Sequence, residues 1–144
     1  MTDATLNLAA ANRIIEAALA HGATLGLKPL SVAVLDAGGH LIAFARQDRS
    51  SNLRPEIAIG KASGALDLGV SSRKIADMAA ERPGFIGAAV GIAHAGLIPA
   101  AGGVLVHDAA GAVIGAVGVT GDTSDNDEAC ALHGIAASGL IAGQ

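Results

Sequence analysis

Arg54, Ala58, Lys61 and Ala65 share one face if the segment that holds them is helical. Two cations over small residues suit a ligand carboxylate. The Arg54 guanidinium can grip it with a bidentate pair, and the Lys61 ammonium adds a point charge. A solvated face, or salt bridges to another subunit, would use the same residues. Two glycine pairs, Gly38-Gly39 and Gly102-Gly103, are the next candidates. Glycine lets backbone amides come close to a ligand, although Gly38-Gly39 also reads as plain turn chemistry and Gly102-Gly103 as the entry to a strand.

Histidine supplies both metal ligation and proton transfer, and the chain has five. His21 falls on the apolar side of the first predicted helix, where it can meet a cofactor metal at a pocket wall or sit as a satisfied core residue. His40 follows the first glycine turn and suits a general acid or base. His94 and His107 lie in loop-like stretches, and no pair has a metal-site spacing such as H-x-x-x-H. Asp127 and Glu128 open the last predicted helix, where acids ordinarily satisfy free amides and the helix dipole; Glu128 is also a candidate catalytic carboxylate. Cys130 and His133 stand one helical turn apart and fit a thiolate–imidazole pair or, more simply, a buried structural cysteine.

These side chains need elements to carry them. Leu6 to about Leu25 has the 3.6-residue period of a helix, ended by Gly26 and Pro29. Ser31–Asp36 is a short apolar strand and His40–Ala45 returns after a turn at Ala37–Gly39, which is a hairpin signal. Pro55 suits a first helical position and Ile57–Leu68 continues it to Gly69. Ser71 or Ser72 caps a further helix that reaches Ala80 before Pro83-Gly84. Residues 85–101 carry no clear period. Gly102–His107 and Ala112–Val119 form a second hairpin around Asp108–Gly111, and Ser124 with Asp127 resembles a capping box for a last helix to about Ile141. The order is helix, hairpin, two helices, hairpin, helix. Hairpins imply an antiparallel sheet that the helices cover.

Composition narrows the function. A chain of 144 residues suits one domain, 1–144, with 51% hydrophobic and 15% charged residues. A formal net charge of -4 without a Lys/Arg run argues against nucleic acid and anionic membranes as partners. No stretch is apolar enough to span a bilayer, and Met1–Ala4 lacks a basic leader, so the expected location is the cytoplasm. One cysteine, Cys130, excludes an intrachain disulfide and a cysteine metal cluster. Trp and Tyr are absent and Phe occurs only as Phe44 and Phe85, so a flat ligand must be gripped by aliphatic side chains and backbone. Abundant Gly and Ala favour tight contacts, including those of a homo-oligomer.

Four stretches together resemble the GlcG/HbpS family, which includes the haem-binding protein HbpS and the C-terminal domain of PduO. They are Val32–Leu41, Ile57–Ala62, Ala101–Val104, and Ile114–Gly121 with Asp127-Glu128. The chain departs from the usual pattern at Leu105, where many relatives have proline, and at His107 before Asp108. The resemblance covers roughly residues 6–140. It implies an α/β fold, a profilin-like α/β/α sandwich with a central antiparallel sheet of about five strands flanked by helices. It also implies symmetric oligomers. Relatives include haem binders, partners of cobalamin-handling enzymes, and proteins that look like lyases for hydroxylamino-aromatic acids. The expectation is therefore a binding protein for haem, or a related planar acidic ligand, with His21 as a candidate iron ligand. The alternative is a lyase acting on a small aromatic acid, with His40 and Glu128 as catalytic groups.

Overall fold

The computed structural model describes residues 5–143. Met1–Ala4, read above for a leader, lie outside the described residues. The first helix, α1 (Leu8–Leu25), starts at Asn7, whose side chain accepts the amide of Ala10, and ends at Gly26 in the left-handed region. It thus begins two residues after the expected Leu6, because Asn7 is the better cap. Strands β1 (Ser31–Asp36) and β2 (Leu41–Arg46) form the first hairpin. Helices α2 (Arg54–Leu68) and α3 (Ser72–Glu81) follow, the latter capped by the Ser71 side chain.

Pro83 ends α3 as expected and also opens a helix that the sequence did not announce, α4 (Pro83–Val90). A proline suits the first helical turn because the amide it lacks would be unpaired there. The second hairpin joins β3 (Gly103–His107) to β4 (Val113–Thr120). The last helix, α5 (Ser124–Ala137), is capped by Thr123 rather than Ser124, and stops short of the expected Ile141. A turn at Gly139 releases the chain into a short edge strand, β5 (Ile141–Gly143).

The sheet order is β2-β1-β4-β3-β5 and every neighbouring pair is antiparallel. Strand alternation then sorts the side chains by face. Val32, Val34, Val104, Val106, Val117 and Val119 join Ile14, Ala18, Cys130 and Ile135 in the larger core under α1 and α5. Leu35, Leu105 and Ala116 face the other way and meet Ala62 and Ala65 of α2. The result is the expected α/β/α sandwich around a five-stranded antiparallel sheet. A third cluster of Ile75, Ile86 and Leu97 holds α3, α4 and the following loop together beside α2.

Helix α2 comes closer to the sheet than side-chain packing would allow. A Cβ at Gly118 would strike the carbonyl oxygen of Ala58, and one at Gly103 would strike that of Lys61. The helix backbone rests on the strands there, and Ala58, Ala62 and Ala65 make the rest of the contact. Gly118→Ala is expected to force the helix away and cost about 1–3 kcal/mol. Gly84→Ala, on α4 with open space at the added methyl, is expected to be neutral or mildly stabilising. Urea unfolding of both variants checks this, and equal stabilities would show that α2 can lift freely.

Candidate functional site

Lys61, expected to offer its charge to a ligand, is only 3% exposed. Its Nζ donates to the Val119 carbonyl at 3.0 Å and to Asp127 Oδ2 at 3.1 Å. Asp127, 1% exposed, uses its other oxygen to accept the amide of Asp122 at 2.9 Å. The pair ties α2 to the start of α5 beneath the end of β4. Burial pushes the Lys61 ammonium below its ordinary value against the pull of Asp127. Burial likewise pushes the Asp127 carboxyl up, against the opposing effect of Lys61. This correction has a plain physical cause: helical spacing put Lys61 on the face of small residues, and that face is the one pressed on the sheet.

Arg54 also turns inward, donating from Nη1 to Thr120 Oγ1 at 2.8 Å and from Nε to Ser51 Oγ at 3.2 Å. Gly102 and Gly103 serve packing rather than offering free amides. The Gly103 amide donates to Ser72 Oγ at 2.7 Å, and a Cβ at Gly102 would meet Val119 and Lys61. At the other glycine pair, Asp36 Oδ1 accepts the amides of Gly38 and His40, both at 2.9 Å. His40 Nδ1 lies 3.1 Å from the same oxygen, and its ring is 81% exposed. Led by the His40 amide, these donors hold the Asp36 carboxyl below its usual range.

Glu128 is gripped by Arg73 Nε, which lies 3.0 Å from both carboxylate oxygens. It stands at the β4–α5 end of the sheet, whereas His40 sits on the β1–β2 turn at the opposite end, so the two do not share one site. His21 stacks on His133, with ring centroids 4.4 Å apart and planes 11° from parallel. Cys130 is buried nearby, and burial pushes its thiol up to about 11. His133 therefore pairs with His21 and not with a thiolate.

A groove of about 390 Å³ opens between the β1–β2 turn and α2, lined by Gly38, Gly39, His40, Ser63, Leu66, Asp67 and His94. Asp67 and His94 also border an adjoining apolar hollow of about 170 Å³ walled by Leu68, Ala89, Ile92 and Leu97. His94 is fixed twice by Asp67: its amide donates to Oδ2 at 3.0 Å, and its Nδ1 lies 2.7 Å from Oδ1. A carboxylate on Nδ1 assigns the proton there and leaves Nε2 with its lone pair for a metal. Sequence reading passed over His94 as a loop residue. Its partner Asp67 sits 27 positions away, too far for helical or turn spacing to connect them. Among the described residues no group of three or more His, Cys, Asp or Glu could hold a bare metal ion, and no helix is long and apolar enough to cross a membrane.

The family model for haem degrading protein HbpS-like matches residues 6–136. The chain is similar in structure to HbpS, with 29% identity, a TM-score of 0.79, and 94% of this chain and 92% of that one covered. Protein ORFY of Klebsiella pneumoniae gives 25% identity and a TM-score of 0.83 over 96% of this chain and 94% of that one. A complex of PduOC with haem gives 22% identity and a TM-score of 0.85 over 97% and 99%, which shows a common fold. No curated protein matches the chain in sequence.

Two outcomes follow from the charges. Lys61→Met leaves the Asp127 carboxylate buried without its partner and is expected to cost about 3–5 kcal/mol. Adding Asp127→Asn, which keeps an acceptor for the Asp122 amide, is expected to recover part of that loss in chemical denaturation. Asp122 is held down to about 2 from an ordinary 3.8, chiefly by the Asn126 side chain, then by the Thr123 and Lys28 amides. Its carboxylate therefore adds stability above 3.8 that is lost as the pH falls toward about 2. Melting temperatures across that range are expected to drop more steeply for the native chain than for Asp122→Asn. Parallel curves would contradict the assignment.

Proposed function

The chain belongs to the HbpS-like family, and from that membership we propose that it binds haem in the groove beside His94. The observation that carries this reading is the Asp67–His94 pair at the junction of a polar groove and an apolar hollow. The two parts of the site match the two parts of the ligand. His94 Nε2 would hold the iron, with Asp67 on Nδ1 orienting the ring and raising its basicity. Leu68, Ala89, Ile92 and Leu97 would press on the porphyrin, and Ile92, 85% exposed, would gain most from being covered. Asp67, the carboxyl that lines the groove, is engaged with His94, and no cation among the described residues lines the groove, so the propionates are best placed toward solvent. Bound haem would supply an iron centre whose reactivity depends on its axial ligand and on the polarity around it.

His21 supports a second reading. None of the ring nitrogens of His21 and His133 has a hydrogen-bond partner among the described residues, so this stacked pair offers another imidazole to iron. Among the described residues no carboxylate holds either ring, whereas Asp67 holds His94. A lyase reading would have to run on His40 alone, since Glu128 is committed to Arg73. We also infer a single-domain homo-oligomer that works in the cytoplasm. Among the described residues the outer edges of β2 and β5 carry no strand neighbour, and exposed Leu8, Leu41, Leu53 and Ile141 would be covered in an assembly.

Haem titration followed by visible absorption tests the site. His94→Ala is expected to abolish the ligand-bound spectrum, and Asp67→Asn to weaken affinity by about 10–100-fold. His21→Ala is expected to change neither. Loss of the spectrum in His21→Ala alone would move the iron to the stacked pair. A full spectrum in both alanine variants would exclude both histidines.

A further inference from the structure

At the opposite end of the β1–β2 hairpin from the histidine groove lies a separate cleft of about 530 Å³. A six-residue strand separates the two, roughly 20 Å of extended chain. Its walls are the C-terminal turn of α1, the entry to β1, and the loop after β2. Lys28, Arg46 and Arg49 all line it, against a single acid, Asp48. Three of the nine Lys and Arg residues of a chain with net charge -4 thus converge on one concave surface.

The loop that brings them there is firmly built. Gln47 pairs with Leu30 twice, its amide donating to the Leu30 carbonyl at 2.9 Å and its Oε1 accepting the Leu30 amide at 2.7 Å. Ser50 Oγ donates to the Gln47 carbonyl at 2.8 Å, and Arg46 closes the loop by donating to the Ser50 carbonyl. Within this frame Arg49 has φ +68°, and it is the only non-glycine residue with positive φ among the described residues. Asparagine or glycine would adopt that backbone with less strain, so the arginine is held there at a cost. Its guanidinium has no hydrogen bond or ion pair among the described residues, nor has the Lys28 ammonium. The turn closed by the Ser50 amide on the Gln47 carbonyl sets that φ, but no contact within the described residues calls for arginine at the position.

We propose that this cleft is a binding site for a small polyanion, a molecule carrying two or more carboxylate or phosphate groups. Guanidinium groups meet both with paired donors, and Lys28 adds a third positive contact. The C-terminus of α1 opposes an anion with about half a negative charge, and Asp122, which accepts the Lys28 amide at 3.1 Å, adds a second acid beside Asp48, but the three cations outweigh them together. The carbonyls of Gly22 and Ala23 at that end are already taken by the amides of Leu27 and Gly26. The site is independent of haem.

Calorimetric titration at low salt with citrate and with pyrophosphate tests it. The native chain is expected to bind one of them at one equivalent per chain. The tighter of the two identifies the anionic group, carboxylate or phosphate. Arg49→Asn removes the cation and relaxes the backbone, so affinity is expected to fall at least tenfold while the melting temperature holds or rises. Lys28→Gln is expected to weaken binding as well. His94→Ala should bind the polyanion as the native chain does, and Arg49→Asn should take up haem normally, which separates this site from the haem reading. Failure of the native chain to bind either anion, or unchanged affinity in both cation variants, would overturn the proposal.

Discussion

Helix α2 rests by its backbone on β3 and β4, with Gly103 and Gly118 beneath the carbonyls of Lys61 and Ala58. Much of the structure depends on that contact. Two backbones can meet so closely only where side chains vanish, so the closest contacts fall at Gly103 and Gly118, and α2 presents small Ala62 and Ala65 to Leu35 and Leu105 beside them. The close approach excludes water and carries Lys61 inside, where its charge needs an answer. Asp127 supplies it from the start of α5, and the Val119 carbonyl completes the coordination. A buried ion pair is a poor source of net stability, because desolvation offsets most of its attraction. It does specify an arrangement: only one placement of α5 relative to α2 leaves neither charge alone.

The same helix carries Asp67 near its C-terminal end, about 9 Å along the axis from Lys61. With α2 locked on the strands, Asp67 becomes a fixed point, and His94 is tied to it by ring and by amide. The other wall of the hollow belongs to α4 and the loop behind it. That wall is held by the small satellite cluster of Ile75, Ile86 and Leu97, not by the main core. Segments with few buried contacts open at lower free energy than the core they lean on. The site thus joins a rigid wall to a softer one, an arrangement that can admit a large flat ligand and then close on it.

Much of this fold was legible in the residues. Short apolar runs at Ser31–Asp36 and Gly102–His107, with Ser71 as a cap and Pro55 in a first helical turn, located the strands and most helices to within a residue or two. Helix α4 escaped because Gly84–Val90 is apolar on all sides and shows no polar face. The site was less legible. Spacing identified the face that holds Lys61 but could not show what that face presses on, since Asp127 lies 66 positions away. His94 was hidden for the same reason. Its role depends on a carboxylate from another element, and no local pattern records such a meeting. Family resemblance supplied the ligand class, while the residues that would hold it came only from the three-dimensional arrangement.

Amide hydrogen exchange, measured with and without haem, tests the central claim most directly, because it locates the ligand without altering any residue. Binding at His94 between a rigid and a soft wall predicts that haem slows exchange in residues 85–98, the weaker side of the hollow. Amides in the body of α2 should already be slow, and those of α1 and α5 around His21 and His133 should not change. Protection that appears instead on α1 and α5, with residues 85–98 unaffected, would contradict the account.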